Sequence, residues 1–164
     1  MTAPPFKPPP LRYPPPTETE TVRQWQQQLR SRGWNIDVDG IYGPESKRLC
    51  ANFQMEHGLE VDGIVGPETW KATWEAPSTK PPPAPDHILQ KGDMNNQFVR
   101  KWQRQVNNRG WEELEVDGDF GPQTEQVCKE LQKFKGLPVN GKIDQHTWDE
   151  AWLERVPVGA GAPT

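Results

Sequence analysis

The eight tryptophans of this chain fall into four equivalent pairs: Trp25 with Trp102, Trp34 with Trp111, Trp70 with Trp148 and Trp74 with Trp152. That pairing constrains the fold more than any other feature, because it requires one structural unit written twice. VRQWQQQLRSRGW from Val22 aligns with VRKWQRQVNNRGW from Val99, and a single inserted residue then sets the register for the rest of the repeat. VDGIYGPES from Val38 meets VDGDFGPQT from Val116, Cys50 meets Cys128, Gln54 meets Gln132, and Thr69-Trp70 meets Thr147-Trp148. The chain reads as two copies of one small module.

Prolines mark where the modules stop. Of 19, eight lie between Pro4 and Pro16 and five between Pro77 and Pro85, leaving Pro44, Pro67, Pro122 and Pro138 inside the modules. The expected organisation is a Pro-rich N-terminal tail (1–16), module 1 (17–76), an extended semi-rigid linker (77–87), module 2 (88–155) and a C-terminal tail (156–164). The N-terminal tail reads as a disordered spacer or as an extended arm docked on a protein partner. Modules this small must obtain much burial from few residues, which suits tryptophan.

Inside each module a second repeat appears. VDGIYGPES recurs as VDGIVGPET from Val61, and VDGDFGPQT is followed by a worn copy, VNGKIDQHT from Val139. Asp-Gly makes a sharp turn, and Gly-Pro then opens a helix, since proline at the first helical position loses no hydrogen bond. Each module is thus expected to hold three helices, giving an all-α fold. The first has Thr21 as cap with Gln24 as its capping-box partner, buries Val22, Trp25 and Leu29, and stops at Gly33. The second runs from Pro44 to about His57 and buries Leu49, Cys50 and Phe53. The third starts at Pro67, or near His146, with its two tryptophans one turn apart.

A formal charge of -4 without any strongly signed block excludes an ordinary nucleic-acid surface. No stretch approaches a membrane span, and the N-terminal residues lack the apolar core of a signal peptide. Cys50 and Cys128 sit on equivalent buried faces and are expected to be free thiols.

The strings VDGIYGPES, NFQMEHGLEVDGIVGPETW, VDGDFGPQT, LQKFKGLPVNG and HTW together resemble the three-helix peptidoglycan-binding domain of the PGBD-like family. The resemblance covers roughly three quarters of the chain. It implies non-catalytic attachment to bacterial cell-wall peptidoglycan (muropeptides) and a location at the wall or in a phage virion. The second module departs from the pattern where Asn140 replaces Asp62, and Asp144-Gln145 replaces Gly66-Pro67.

A muropeptide offers sugar faces that suit aromatic rings and carboxylates that suit helix N-termini. The groove beside each first turn is therefore the candidate site, formed by Trp34, Asp39, Tyr42 and Ser46 in module 1 and by Trp111, Asp117, Phe120 and Thr124 in module 2. Asn35 to Gly40 imitates the start of a calcium loop, but its twelfth position is Ser46 rather than a bidentate Glu, so no metal is assigned. No cofactor is called for, and no catalytic constellation is legible. Two function classes follow: a wall-binding protein whose two modules act together, and a phage virion structural or assembly protein using the modules or the Pro-rich arm.

Overall fold

A computed structural model describes residues 2–153, so the expected C-terminal tail lies outside the described residues. The chain divides between Thr79 and Lys80 into two compact units. Unit 1 contains β1 (Thr17–Glu18), α1 (Glu20–Ser31), β2 (Ile41–Tyr42), α2 (Pro44–Glu56) and α3 (Pro67–Glu75). Unit 2 contains α4 (Gln97–Asn108), α5 (Pro122–Lys135) and α6 (Gln145–Trp152). The two strands pair antiparallel, Thr17 with Tyr42 and Glu18 with Ile41. Among the described residues the architecture is mostly α-helical, three helices per unit.

The first helix begins two residues earlier than expected. Thr19, not Thr21, is its cap: the Thr19 side chain accepts from the Val22 N–H at 3.2 Å while its own backbone is extended. Pairing of Thr17–Glu18 with β2 fixes the entry of the chain, so the turn into the helix falls directly after the strand. In unit 2 Asn96 has the same role, accepting from Phe98 and Val99. The helices at Pro44, Pro67 and Pro122 start where proline places them.

One apolar face of each helix meets the others in a core dominated by rings. In unit 1 Val22, Trp25, Leu29, Trp34, Tyr42, Leu49, Cys50 and Phe53 have no exposed surface. Trp34 meets Phe53 edge-on at 5.8 Å between centroids, and Trp25 tilts against Tyr42 at 5.6 Å. Burying such side chains contributes roughly 1.5–3 kcal/mol each, which is how a unit this small stays folded. Buried Arg32 reaches the carbonyls of Ala72 and Thr73 at the end of α3, and Arg109 reaches that of Trp152 at the end of α6. A cation there complements the negative end of the helix.

The Pro-rich segments are packed on their own units rather than left as disordered spacers. Leu11 is 2% exposed and forms an antiparallel bridge with Val65, its N–H donating to the Val65 carbonyl at 3.1 Å. The indole N–H of Trp70 donates to the Pro4 carbonyl at 2.8 Å. Unit 2 repeats both contacts with residues from the expected linker and just beyond it: Leu89 bridges Ile143, and the Trp148 indole donates to the Pro82 carbonyl at 2.9 Å. Each three-helix unit therefore carries a proline-rich strap across its third helix. Proline content alone reads as an unfolded chain, yet Pro4 with Pro82 and Leu11 with Leu89 keep the same register as Val38 with Val116.

Candidate ligand-binding turns

Four turns, two per unit, share one hydrogen-bond arrangement centred on a buried glutamine. Gln26 accepts the N–H groups of Asp39 (3.1 Å) and Gly40 (2.8 Å) at its Oε1. Its Nε2 donates to the Asp39 carboxylate (3.0 Å), the Ile41 carbonyl (3.0 Å) and the Ser46 hydroxyl (3.1 Å). Gln54 does the same for Asp62, Gly63, Ile64 and Thr69. Gln103 serves Asp117, Gly118, Asp119 and Thr124. Gln132 serves Asn140, Gly141, Lys142 and Thr147. Each glutamine is 1% exposed, so its amide replaces water for the polar groups it meets at the turn.

The glycine after the acid is required. Gly63 has φ +70°, and a Cβ there would stand 2.9 Å from Lys47 Cγ. The worn fourth turn keeps the geometry of the others. Asn140 Oδ1 accepts from Lys142 N at 2.9 Å as Asp62 Oδ1 accepts from Ile64 N at 2.9 Å, because only one side-chain oxygen is used.

The turns end on helix N-termini. Gly43, Gly66 and Gly121 cap α2, α3 and α5 with no side-chain acceptor, and proline follows, so the amides of the next two residues have no capping side chain. α6 differs: Asp144 accepts from the Thr147 N–H at 2.9 Å. Beside two of the uncapped ends lie open grooves. One of about 210 Å³ is bordered by Leu59, Asp62, Ile64 and Pro67 in unit 1. One of about 200 Å³ is bordered by Leu114, Asp117, Pro122 and Thr124 in unit 2.

The expected site residues divide between core and surface. Trp34 and Tyr42 are 0% exposed, Phe120 1% and Trp111 6%, so none offers a ring face to a sugar. Each is consumed in the core: Trp34 on Phe53, Trp111 on Phe134, Phe120 in the apolar cluster of unit 2, and Tyr42 through its hydroxyl, which donates to the Gly63 carbonyl at 2.6 Å and ties the two turns of unit 1. Burial pushes the Tyr42 hydroxyl far above its ordinary range. Ser46 and Thr124, 2% and 3% exposed, hold the glutamine amides. Asp39 and Asp117 remain at the surface. The Asp119 N–H, then the Gln103 amide, hold the Asp117 carboxyl below the usual carboxylate range.

Sequence patterns did not mark the glutamines as the organising residues, although Gln26, Gln54, Gln103 and Gln132 precede all four V-[DN]-G turns. Nor did they mark exposed Val61 and Val139, at equivalent positions of the two units and 52% and 54% exposed. Both cysteines are buried thiols, pushed up to about 12 by desolvation. Among the described residues no helix is long and apolar enough to cross a membrane, and no group of three His, Cys, Asp or Glu is placed to hold a metal.

The family model described as "Putative peptidoglycan binding domain" matches the chain twice, at residues 18–72 and 95–150. The crystal structure of the SleB N-terminal domain is similar at 28% identity and a TM-score of 0.38, over 40% of this chain and 88% of that one. A fused Zn-dependent amidase/peptidase/peptidoglycan-binding domain-containing protein from Clostridium acetobutylicum ATCC 824 is similar at 24% identity and a TM-score of 0.35. There the match spans 37% of this chain and 27% of the other. No curated protein matches the chain.

Proposed function

The chain belongs to the peptidoglycan-binding domain family, and from that premise we propose that it is a non-catalytic cell-wall binder whose two units act together. The observation that carries this reading is that the family match falls separately on each unit, on either side of the division at Thr79 and Lys80. Two sites on one chain reinforce each other, because after the first engages the second meets its ligand at a high effective concentration.

The surface we assign is the set of uncapped helix starts at Gly43, Gly66 and Gly121 with the grooves beside Asp62 and Asp117. Free N–H groups at a helix N-terminus suit the peptide carbonyls of a stem peptide, and the carboxylates beside them, Glu60, Asp62 and Glu68 in one groove and Glu115, Asp117 and Asp119 in the other, suit its amide and amine donors. This replaces the aromatic platform with backbone donors, since the rings expected there lie in the core. A non-catalytic role is supported by the chemistry of the buried groups. The four glutamines and the Ser46 and Thr124 hydroxyls are engaged in the fold, and thiols raised to about 12 stay protonated at neutral pH and are poor nucleophiles.

Co-sedimentation of the full chain with purified sacculi tests the reading. Depletion from the supernatant, with no fall in turbidity and no new reducing ends or free amines, is the expected result. A chain that stays in solution with sacculi of several wall types, or clears them after repurification, overturns it.

A further inference from the structure

We propose that the strap groove on the third helix of each unit is a sequence-tolerant binding site for extended proline-rich peptides, able to take such a segment from another polypeptide. Two different segments of this chain already occupy it. Residues 3–11, APPFKPPPL, cross unit 1 and residues 81–89, PPPAPDHIL, cross unit 2, each seated at its two ends and at Phe6 or Ala84 while Lys7, Pro8 and Pro9, or Asp86, His87 and Ile88, stay exposed. Aligned, they share only Pro4-Pro5 with Pro82-Pro83 and Leu11 with Leu89; Phe6, Lys7, Pro8, Pro9 and Pro10 all change.

What is kept is what the groove reads. A tryptophan indole donates to the carbonyl of the first shared proline, at 2.8 Å from Trp70 and 2.9 Å from Trp148. Further along each strap, a leucine pairs its backbone with Val65 or Ile143 and buries its side chain, 2% exposed in unit 1 and 0% in unit 2. Between these anchors the exposed residues are free to vary, and the one packed position tolerates exchange of its side chain. In unit 1 the ring edge-on to Trp70 is the strap's own Phe6, at 5.9 Å. In unit 2 Ala84 stands at that strap position and the ring edge-on to Trp148 is Phe98 of α4, at 6.0 Å. An aromatic wall against proline is how proline-rich segments are bound in general; the indole bond to the carbonyl and the leucine bridge are additions of these units.

In the native chain the strap is tethered and competes at an effective concentration on the order of millimolar, so a free peptide must be tested against a loosened strap. The experiment uses the full chain carrying Phe6→Ser and Leu11→Ser, ¹⁵N-labelled, with the Trp70 indole resonance assigned through Trp70→Phe. Synthetic peptides of residues 2–12 and 80–90 are both expected to shift that resonance, at concentrations about tenfold below those needed with the unaltered chain. A scrambled peptide of residues 2–12 should leave it unmoved. No response to either peptide, while the Trp25 and Trp34 indole signals stay native, overturns the proposal, and a response to residues 2–12 alone overturns the tolerance it claims. If the loosened chain unfolds, a second full-length variant decides: residues 3–11 replaced by the sequence of 81–89. Retention of the Trp70 indole signal there supports a tolerant groove, and its loss overturns it. Sacculi play no part in these measurements, so they stand apart from the wall-binding reading.

Discussion

The indole N–H of Trp25 donates to the hydroxyl of Thr73 at 3.1 Å, joining the first and third helices across the core of unit 1. Trp102 occupies the matching place in unit 2, but Ala151 stands where Thr73 would, and the buried Trp102 Nε1 has no acceptor. A buried donor without a partner costs about 1–3 kcal/mol.

Ala151→Thr should therefore stabilise unit 2, by about 1 kcal/mol, since Thr73 shows that the fold accommodates the hydroxyl and methyl at this position. Thr73→Ala should destabilise unit 1 by a similar amount. Urea denaturation of the full chain, followed by indole signals specific to each unit, checks both. No gain from Ala151→Thr would mean that the extra volume in a tightly packed core outweighs the new bond.

The glutamine arrangement predicts an unequal response to one isosteric change. Gln54→Glu replaces a donating amide with a carboxylate facing Asp62, whereas Gln132→Glu faces neutral Asn140. Both should lose several kcal/mol, as three acceptors lose their donor, with the larger loss at position 54. Burial beside these acceptors raises the folded pKa of the introduced acid. Stability is accordingly retained below the unfolded value, about 4.3, and lost as pH rises through the raised folded value. Thermal melts between pH 4 and 8 should show the Gln54→Glu deficit growing with pH.

Stability and wall affinity should move in opposite directions at Gly66. Its backbone is extended and a Cβ there meets nothing within 4 Å, so Gly66→Asp should cap α3 as Asp144 caps α6, adding roughly a few tenths of a kcal/mol. The same carboxylate would fill the free amides we assign to the ligand, and sacculus binding should fall. Asp144→Gly should have the reverse effects on unit 2. Melting temperature and sedimentation isotherms on the same variants would separate the two. Unchanged binding by Gly66→Asp would place the ligand elsewhere on the surface.

Asp117 links the turn to acid stability. Hydrogen bonds from Asp119 N and Gln103 lower its carboxyl in the folded chain. Its contribution is thus present above the unfolded value of about 3.9 and is lost as pH falls through the lowered folded value. Asp117→Asn should flatten that part of the acid limb without losing the turn, as Asn140 keeps the same bonds. Chemical denaturation from pH 2 to 6 provides the check, and an unaltered acid limb would assign the titration to other carboxylates.

The helices and their buried faces were legible because Val22, Trp25 and Leu29, with their copies, follow helical spacing, and Gly-Pro fixes three helix starts. The role of Trp34, Tyr42, Trp111 and Phe120 was not. An aromatic beside a turn reads alike whether its ring faces water or the core, and for Trp34 and Trp111 only the packing of Phe53 and Phe134 decides it. The straps escaped because proline suppresses every local signal, while their anchors are tertiary: a carbonyl at Pro4 or Pro82 and one leucine each. The glutamines escaped because their partners, such as Asp62 for Gln54 and Asp117 for Gln103, lie further along the chain than any helical or strand period reaches.

Within the glutamine-held turns, the residue after the glycine engages the glutamine and the Asp or Asn side chain through its peptide group alone. Its N–H meets the Asp or Asn side chain and its carbonyl meets the glutamine amide. Ile41, Ile64, Asp119 and Lys142 stand there, two apolar, one acidic and one basic, on an unchanged backbone. The position works as a socket with a fixed mount and an interchangeable head. Substitution at Ile41, Ile64 and Lys142 can retune the charge and greasiness of the surface there with the turn kept, whereas the Asp119 carboxylate also accepts from the Asn95 N–H at 2.8 Å and is tied to the entry of α4, so the two units are free to diverge in what they prefer without ceasing to be copies.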